Sequence, residues 1–326
     1  MRRVGRFPRC AAGDLRWEMT GWENSEMPLV VVGSVAFDSV ETPQAVRDRV
    51  LGGSAVYFSL AARFFTGVRL VGVVGEDWPT EYTKLLQDQG VDTSGLQVVP
   101  GAKTFFWRGR YFSNMNDRET LDVQLNVMAN FNPVLPEELR RCRFLFLANG
   151  STKMQLNVLS QCVGPMLTVA DTMDHWIRNE PQELRELMRR VDGLVLNDAE
   201  AKLLAEDENL LRAGRSLLEM GPRFIVIKKG EHGALFFSKH EMYVLPAYPT
   251  DRVADPTGAG DSFAGGMMGY LAEQADYSPE TLKRAMAYGI VAASFTVEDF
   301  SVDRLLKITR DDLEHRMEEY RRMLAF

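Results

Sequence analysis

The chain is poor in the residues that hold folds together covalently or through metals. Its three cysteines, Cys10, Cys142 and Cys162, have no C-x-x-C spacing. They make no disulfide framework, which points to a reducing, cytoplasmic setting. The four histidines, His175, His232, His240 and His315, show no metal-ligand spacing. No apolar run reaches the roughly 18 residues a membrane helix needs, so no membrane partner is expected. Basic charge is not in surplus: 38 Lys and Arg against 45 Asp and Glu leave a net charge of −7, which argues against nucleic acid as a partner. The chain also lacks a G-x-x-x-x-G-K-[ST] loop, an H-E-x-x-H pair, a G-x-S-x-G elbow and an early G-x-G-x-x-G fingerprint. The last absence disfavours a nicotinamide-dependent oxidoreductase.

What is present is a chain of 326 residues, 45% of them hydrophobic, enough for one large α/β domain. Residues 1–26 stand apart, polar, with five arginines and no apolar period. They read as a disordered extension, or as an overlong start with Met27 the true initiator, because no signal-peptide core is present. From residue 27 to 326 short β-branched runs alternate with amphipathic segments. Pro28–Asp38 reads as one buried strand, followed by "VRLVGVVG", "GLQVVP", "FLFLAN", "LTVADT", "GLVLN" and "FIVIKKG". "GALFFS" and "EMYVLPAY" read as two antiparallel strands. This alternation implies a doubly wound, mainly parallel sheet with helices on both faces, and ligands beyond its carboxyl edge. Two stretches, about 38–51 and 102–127, break the alternation and read as a small β lid.

One segment carries chemistry. "ADPTGAGDSFAGG" (Ala254–Gly266) places glycines and two aspartates at a helix start, where free N–H groups suit an anion. An aspartate there makes sense if it takes a proton from a group attacking a phosphate. Phosphoryl transfer needs that base and in-line positioning. Asp261 is the candidate base, and the amides of Thr257–Asp261 the anion hole. An N-cap aspartate in an ordinary turn is the alternative.

"DPTGAGDSFAGG" closely resembles the second signature of the PfkB carbohydrate kinases, the ribokinase-like family. "GGSA" (Gly52–Ala55) resembles its first glycine signature, "NDAE" (Asn197–Glu200) its N-x-x-E motif, and "KKGEHGALFF" its glycine-containing strand turn. The resemblance implies an ATP-dependent kinase with Asp261 as base and the backbone of Gly258, Ala259 and Gly260 as anion hole. It implies that Asn197 and Glu200 organise Mg²⁺, with Glu200 acting through water. Lys228, Gly230, Gly233 and Thr257 would serve ATP, and Ala285–Ser294 would flank the adenine. Asp255 and Thr257 lie where the family often builds a monovalent-cation site for K⁺. Asp38, Gly52 and Gly53 would contact substrate hydroxyls. Phe106, read from its place among the lid aromatics, would stack on substrate or cement the lid strands.

Three positions depart from the family's usual residues. Tyr57 replaces an asparagine that commonly binds substrate. Lys228 replaces a threonine, and Asp174 stands where asparagine is frequent. A tyrosine at 57 would wall the pocket or pack in the core; as a wall it favours an acceptor with a ring or base over free ribose or fructose. The expected substrate is a small molecule, a sugar or related polyol, with a nucleoside or cyclitol (a nucleoside or inositol kinase) as the close rival. A non-catalytic sugar- or nucleotide-binding regulator is the reading from another class. The expected state is a monomer or a lid-mediated homodimer.

Overall fold

The computed structural model describes residues 29–325; the expectations for 1–26, for Met27 as initiator and for Cys10 lie outside them. Thirteen strands are present among the described residues. They are β1 (Leu29–Val32), β2 (Ala36–Glu41), β3 (Val46–Gly52), β4 (Val68–Gly75), β5 (Val91–Val99), β6 (Phe105–Tyr111), β7 (Arg118–Gln124), β8 (Phe144–Leu147), β9 (Leu167–Asp171), β10 (Gly193–Asn197), β11 (Phe224–Lys228), β12 (Ala234–Ser238) and β13 (Met242–Leu245). Nine form one sheet in the order β13-β12-β11-β10-β9-β8-β1-β4-β5, and four form a second in the order β3-β2-β6-β7. The large sheet is parallel except for the β11–β12 and β12–β13 pairs, which are antiparallel, as expected from their sequences.

Alternate side chains of β1 explain the layering. Leu29 and Val31 enter one apolar cluster and Val30 and Val32 another, so both faces are covered. The first cluster takes in the helices Ser54–Ala62, Ala259–Gln274 and Pro279–Thr296. The helix Ser54–Ala62 is buried along its whole length, which is why its sequence shows no polar stripe.

The continuous apolar reading of Pro28–Asp38 needs correction. The run is two strands in two sheets, β1 in the large sheet and β2 in the small one. The break is Gly33–Val35. There the Ser34 amide donates to the Ser54 hydroxyl (3.2 Å) and the Ser54 amide to the Ser34 hydroxyl (2.9 Å). These bonds reward a chain that leaves the sheet, and no local apolar pattern reveals them.

The second sheet is the lid. It gathers the two stretches that break the alternation, with β2 parallel to β6 and antiparallel to β3. The turn between β6 and β7 reaches the large sheet, where the Asn116 amide donates to Glu231 Oε1 at 2.6 Å. Tyr111, the last residue of β6, is buried, and its hydroxyl accepts from the Thr257 hydroxyl at 3.4 Å.

Candidate active site

Three neighbouring parallel strands end in polar residues: β9 in Asp171, β10 in Asn197 and β11 in Lys228. That is the carboxyl edge, where open α/β sheets bind ligands. Facing it is the start of the helix Ala259–Gln274. Gly258 caps it with φ 76°, a left-handed conformation that suits glycine, and a Cβ there would collide with the Tyr57 ring. Asp261 therefore lies in the first turn, and the N–H groups of that turn have no partner within the helix.

Asp261 is buried, and its carboxyl is pushed up to about 7, first by loss of water and then by the negative charge of Asp171. Lys228 and Arg118 pull the other way. The Lys228 ammonium lies 3.3 Å from Asp171 and 3.1 Å from where a Cβ on Gly260 would sit. Burial alone would lower its pKa, but Asp171, Glu200 and Asp261 hold it above the ordinary lysine value, so it is charged.

Asn197 and Glu200 form a capping box on the helix Asp198–Ala205. Asn197 Oδ1 accepts from the Glu200 amide (2.8 Å), and Glu200 Oε2 from the Asn197 amide (2.7 Å). One Glu200 oxygen is thus committed to the cap. The carboxyl is nonetheless pushed up to about 7, by burial first and by Asp171 second.

Asp38, on β2, is 5% exposed. It too is raised to about 7, mainly by burial and by Asp255, while the Gly53 amide and Arg118 lower it. Gly52 explains how the carboxylate fits, because any Cβ there would overlap it. Asp255 is fully buried, with Oδ1 on the Thr257 amide (2.9 Å) and Oδ2 on the Ser301 amide (3.2 Å). It shapes the turn that leads into the nest.

Gly230 and Gly233 frame the β11–β12 turn, both at positive φ. A Cβ on Gly230 would sit 3.0 Å from Asn116 of the lid, so this turn is where lid and sheet meet.

The remaining expected residues take structural positions. Tyr57 is 1% exposed, packed beneath Gly258, with no hydrogen-bond partner for its hydroxyl among the described residues. It joins the core cluster under the nest, the packing alternative for this position. Phe106 is 9% exposed and pairs across strands with Phe37 within the lid. Asp174 binds the His175 amide (2.9 Å) in the first turn of Asp174–Asn179. Most of Ala285–Ser294 is buried in the interhelical packing, with Gly289 against Phe263. The sequence pattern singles out neither Asp171 nor Arg118. Asp171 reads there as a strand end, and Arg118 as one lid charge among several.

A glycine nest at a helix start, a buried carboxylate inside it and a lysine at its rim suit transfer of a phosphoryl group to a hydroxyl. The chain matches the pfkB family carbohydrate kinase model over residues 29–308 and belongs to that family, which makes it a phosphotransferase of that kind. It is a kinase of the sugar and nucleoside class. Among its relatives is a cytidine kinase of Thermococcus kodakarensis, 31% identical over 249 residues, which are 74% of this chain and 87% of the relative. A nucleoside kinase of Burkholderia thailandensis, solved with inosine, superposes with a TM-score of 0.72 at 19% identity, covering 90% of this chain and 98% of its own. A putative ribokinase II structure from Escherichia coli with ATP and Mg²⁺ gives 0.74 at 17%, covering 90% and 99%. At those identities the two structures speak for the fold. Among the described residues no helix is long and apolar enough to cross a membrane.

Proposed function

We propose that the protein transfers the γ-phosphoryl group of ATP to a sugar hydroxyl of a nucleoside. The observation that carries this reading is Asp261, a buried carboxylate in the first turn behind Gly258, held near pKa 7 beside Lys228. A base with a pKa near the working pH is well matched to proton removal. Asp261 takes the proton of the acceptor hydroxyl, and the oxygen attacks the γ-phosphorus. The bond to the bridging oxygen breaks, and ADP departs with the electron pair. The amides of Gly258, Ala259 and Gly260 receive the charge that spreads over the transferring group, and Lys228 adds a full positive charge there. Asp38, with room made by Gly52 and an amide from Gly53, accepts from substrate hydroxyls. The turn Gly230–Gly233 and Thr257 lie on the nucleotide side.

The residues present fit Mg²⁺. Asp38, Asp171, Glu200, Asp255 and Asp261 are set against Lys228 and Arg118, which leaves the cleft short of positive charge for a triphosphate. No cluster of three or more metal-binding side chains exists among the described residues. A Mg²⁺ ion here would be held mainly by phosphates and water, and Glu200 would orient those waters. When bound, Mg²⁺ neutralises phosphate charge. The E. coli structure solved with ATP and Mg²⁺ supports both ligands. A K⁺ ion beside Asp255 and Thr257 belongs to the same reading, and activation by K⁺ over tetramethylammonium tests it.

The nucleoside preference is supported by the cytidine kinase relative and the inosine complex of the structural neighbour. ADP formation with cytidine, inosine, 2-deoxyribose, ribose and myo-inositol decides the matter. Fastest turnover on a nucleoside supports the reading. Turnover confined to free sugars or to the cyclitol sinks the substrate class, and none at all sinks the kinase.

A further inference from the structure

The lid strands β6 and β7 carry three arginines, and they are used differently. Arg108 and Arg110, on β6, are both paired with Glu41. Arg118, the first residue of β7, is in no ion pair among the described residues; part of its surface stays open to water, but enough protein surrounds its charge for loss of water to act on it. Yet its place is fixed from two sides. Its cross-strand partner is Tyr111, whose hydroxyl meets Thr257 at the mouth of the nest. Directly paired residues on one face lie about 5 Å apart at Cβ. Two residues before it, Asn116 is bonded to Glu231 in the β11–β12 turn. The guanidinium also lies 5.8 Å from the Trp107 ring, within cation–π range. Arg118 is thus suspended between the nest and the nucleotide-side turn.

Its charge is felt where the chemistry would occur. Asp38 on the lid, Glu200 on the β10 side and Asp261 in the nest are each lowered by it. Against the desolvation that would lower its own pKa, Tyr111, Glu200 and Asp261 hold it above the ordinary arginine value. An always-charged planar donor facing a carboxylate-rich cleft is favoured there by the field of the carboxylates but forms a hydrogen-bonded ion pair with none of them among the described residues. It gains a bidentate partner when a phosphoryl group arrives.

We propose that Arg118 is a catalytic residue borne by the lid, which binds the phosphoryl group during transfer, with the Tyr111–Thr257 contact setting its position. This rests on the kinase reading above. It adds a third positive element, besides the nest amides and Lys228, one that arrives only when the lid is down. Productive transfer is thereby coupled to closure.

The test uses the full chain with Mg-ATP and the acceptor panel, then the best acceptor for variants. Arg118→Ala should lower kcat by at least about 100-fold, in line with arginines that stabilise phosphoryl transfer, and change acceptor KM by less than about threefold. Arg118→Lys should recover part of the loss. Guanidinium chloride at non-denaturing concentration should restore Arg118→Ala turnover, whereas equal NaCl should not. Arg108→Ala, which removes a charge already spent on Glu41, should stay near wild type. Wild-type kcat in Arg118→Ala overturns the proposal. So does a kcat loss that neither lysine nor guanidinium rescues. If the wild type itself phosphorylates nothing in the panel, the kinase reading falls first and Arg118 with it.

Discussion

The Lys228 ammonium reaches across the end of β10 to lie 3.3 Å from the Asp171 carboxylate of β9. Strands two apart are separated by about 9.6 Å, so a long side chain is needed to make this link. A threonine, usual at this position in the family, would not span it. The pair does two things at once. It neutralises a buried carboxylate, and it parks a positive charge beside Gly260. Lys228→Met should therefore show a double defect. Loss of a charge aimed at the transferring group should cost about 10²-fold or more in kcat. Stability should fall as well, because Asp171 is left buried without its partner. A stranded carboxyl has a raised folded-state pKa. Its destabilisation is absent at low pH, where it is protonated in both states, and grows as pH rises. Thermal melts at pH 5 and pH 8 check this: equal losses at both would sink the pairing argument.

Asp261→Asn should separate function from stability. The variant keeps the shape of the side chain and loses the base, so kcat should drop at least about 100-fold with folding intact. The folded-state pKa of Asp261 is about 7 against an ordinary value of 3.8. Between those values the unfolded chain has released the proton and the native one has not. Stability contributed by this group is full below the ordinary carboxylate range and is lost as pH rises through 7. Asparagine removes that loss. Asp261→Asn should melt about 2 °C or more above wild type at pH 8 without nucleotide, and the gap should shrink steadily as pH falls toward the ordinary carboxylate value of 3.8. Differential scanning calorimetry across that pH range, alongside steady-state rates, reads both effects.

The acid limb of the rate profile follows from the same groups. Asp38, Glu200 and Asp261 are all raised to about 7. They share one cleft, so the titration belongs to the set and not to one residue. kcat/KM should fall as pH drops below about 7, not below the usual carboxylate range near 4. The negative charge of Asp171 is the second-largest cause of the rise at Asp261. Asp171→Asn should accordingly move the limb toward lower pH. A limb that stays in place in that variant would mean that Asp171 and Asp261 are not electrostatically linked.

Much of the site is legible in the amino-acid order. The strand–helix alternation implies a doubly wound sheet, and the two stretches that break it are the lid. The nest stands out because four glycines and two aspartates at a helix start have few uses. The rest is hidden for identifiable reasons. The split of Pro28–Asp38 depends on Ser34 bonding Ser54, twenty positions away, and periodicity cannot carry such a contact. The sequence leaves Tyr57 open between pocket wall and core, because its position in the family's motif says nothing of which side of the helix faces Gly258. Asp171 gains a role only when β9 and β11 are set on either side of β10. Arg118 stands out from Arg108 and Arg110 only because Glu41 takes both of the others.

Gly52 offers the sharpest steric test. A Cβ there overlaps the Asp38 carboxylate, which is itself 5% exposed and held by the Gly53 amide. Gly52→Ala must push the carboxylate aside or shift the β2–β3 pairing. Overpacking of this kind costs about 1–3 kcal/mol of stability. The nest that carries the proposed base lies on a different element, so the chemical step should suffer less than acceptor binding. The expected pattern is an acceptor KM raised by about tenfold or more, the scale of one lost pocket contact, with kcat changed by less than about threefold. Asp38→Asn should raise acceptor KM in the same direction, and the double variant should be no worse than the poorer single, since both disturb one contact. Additive losses in the double variant, or an unchanged KM in Gly52→Ala, would show that Asp38 is not the group that holds the acceptor.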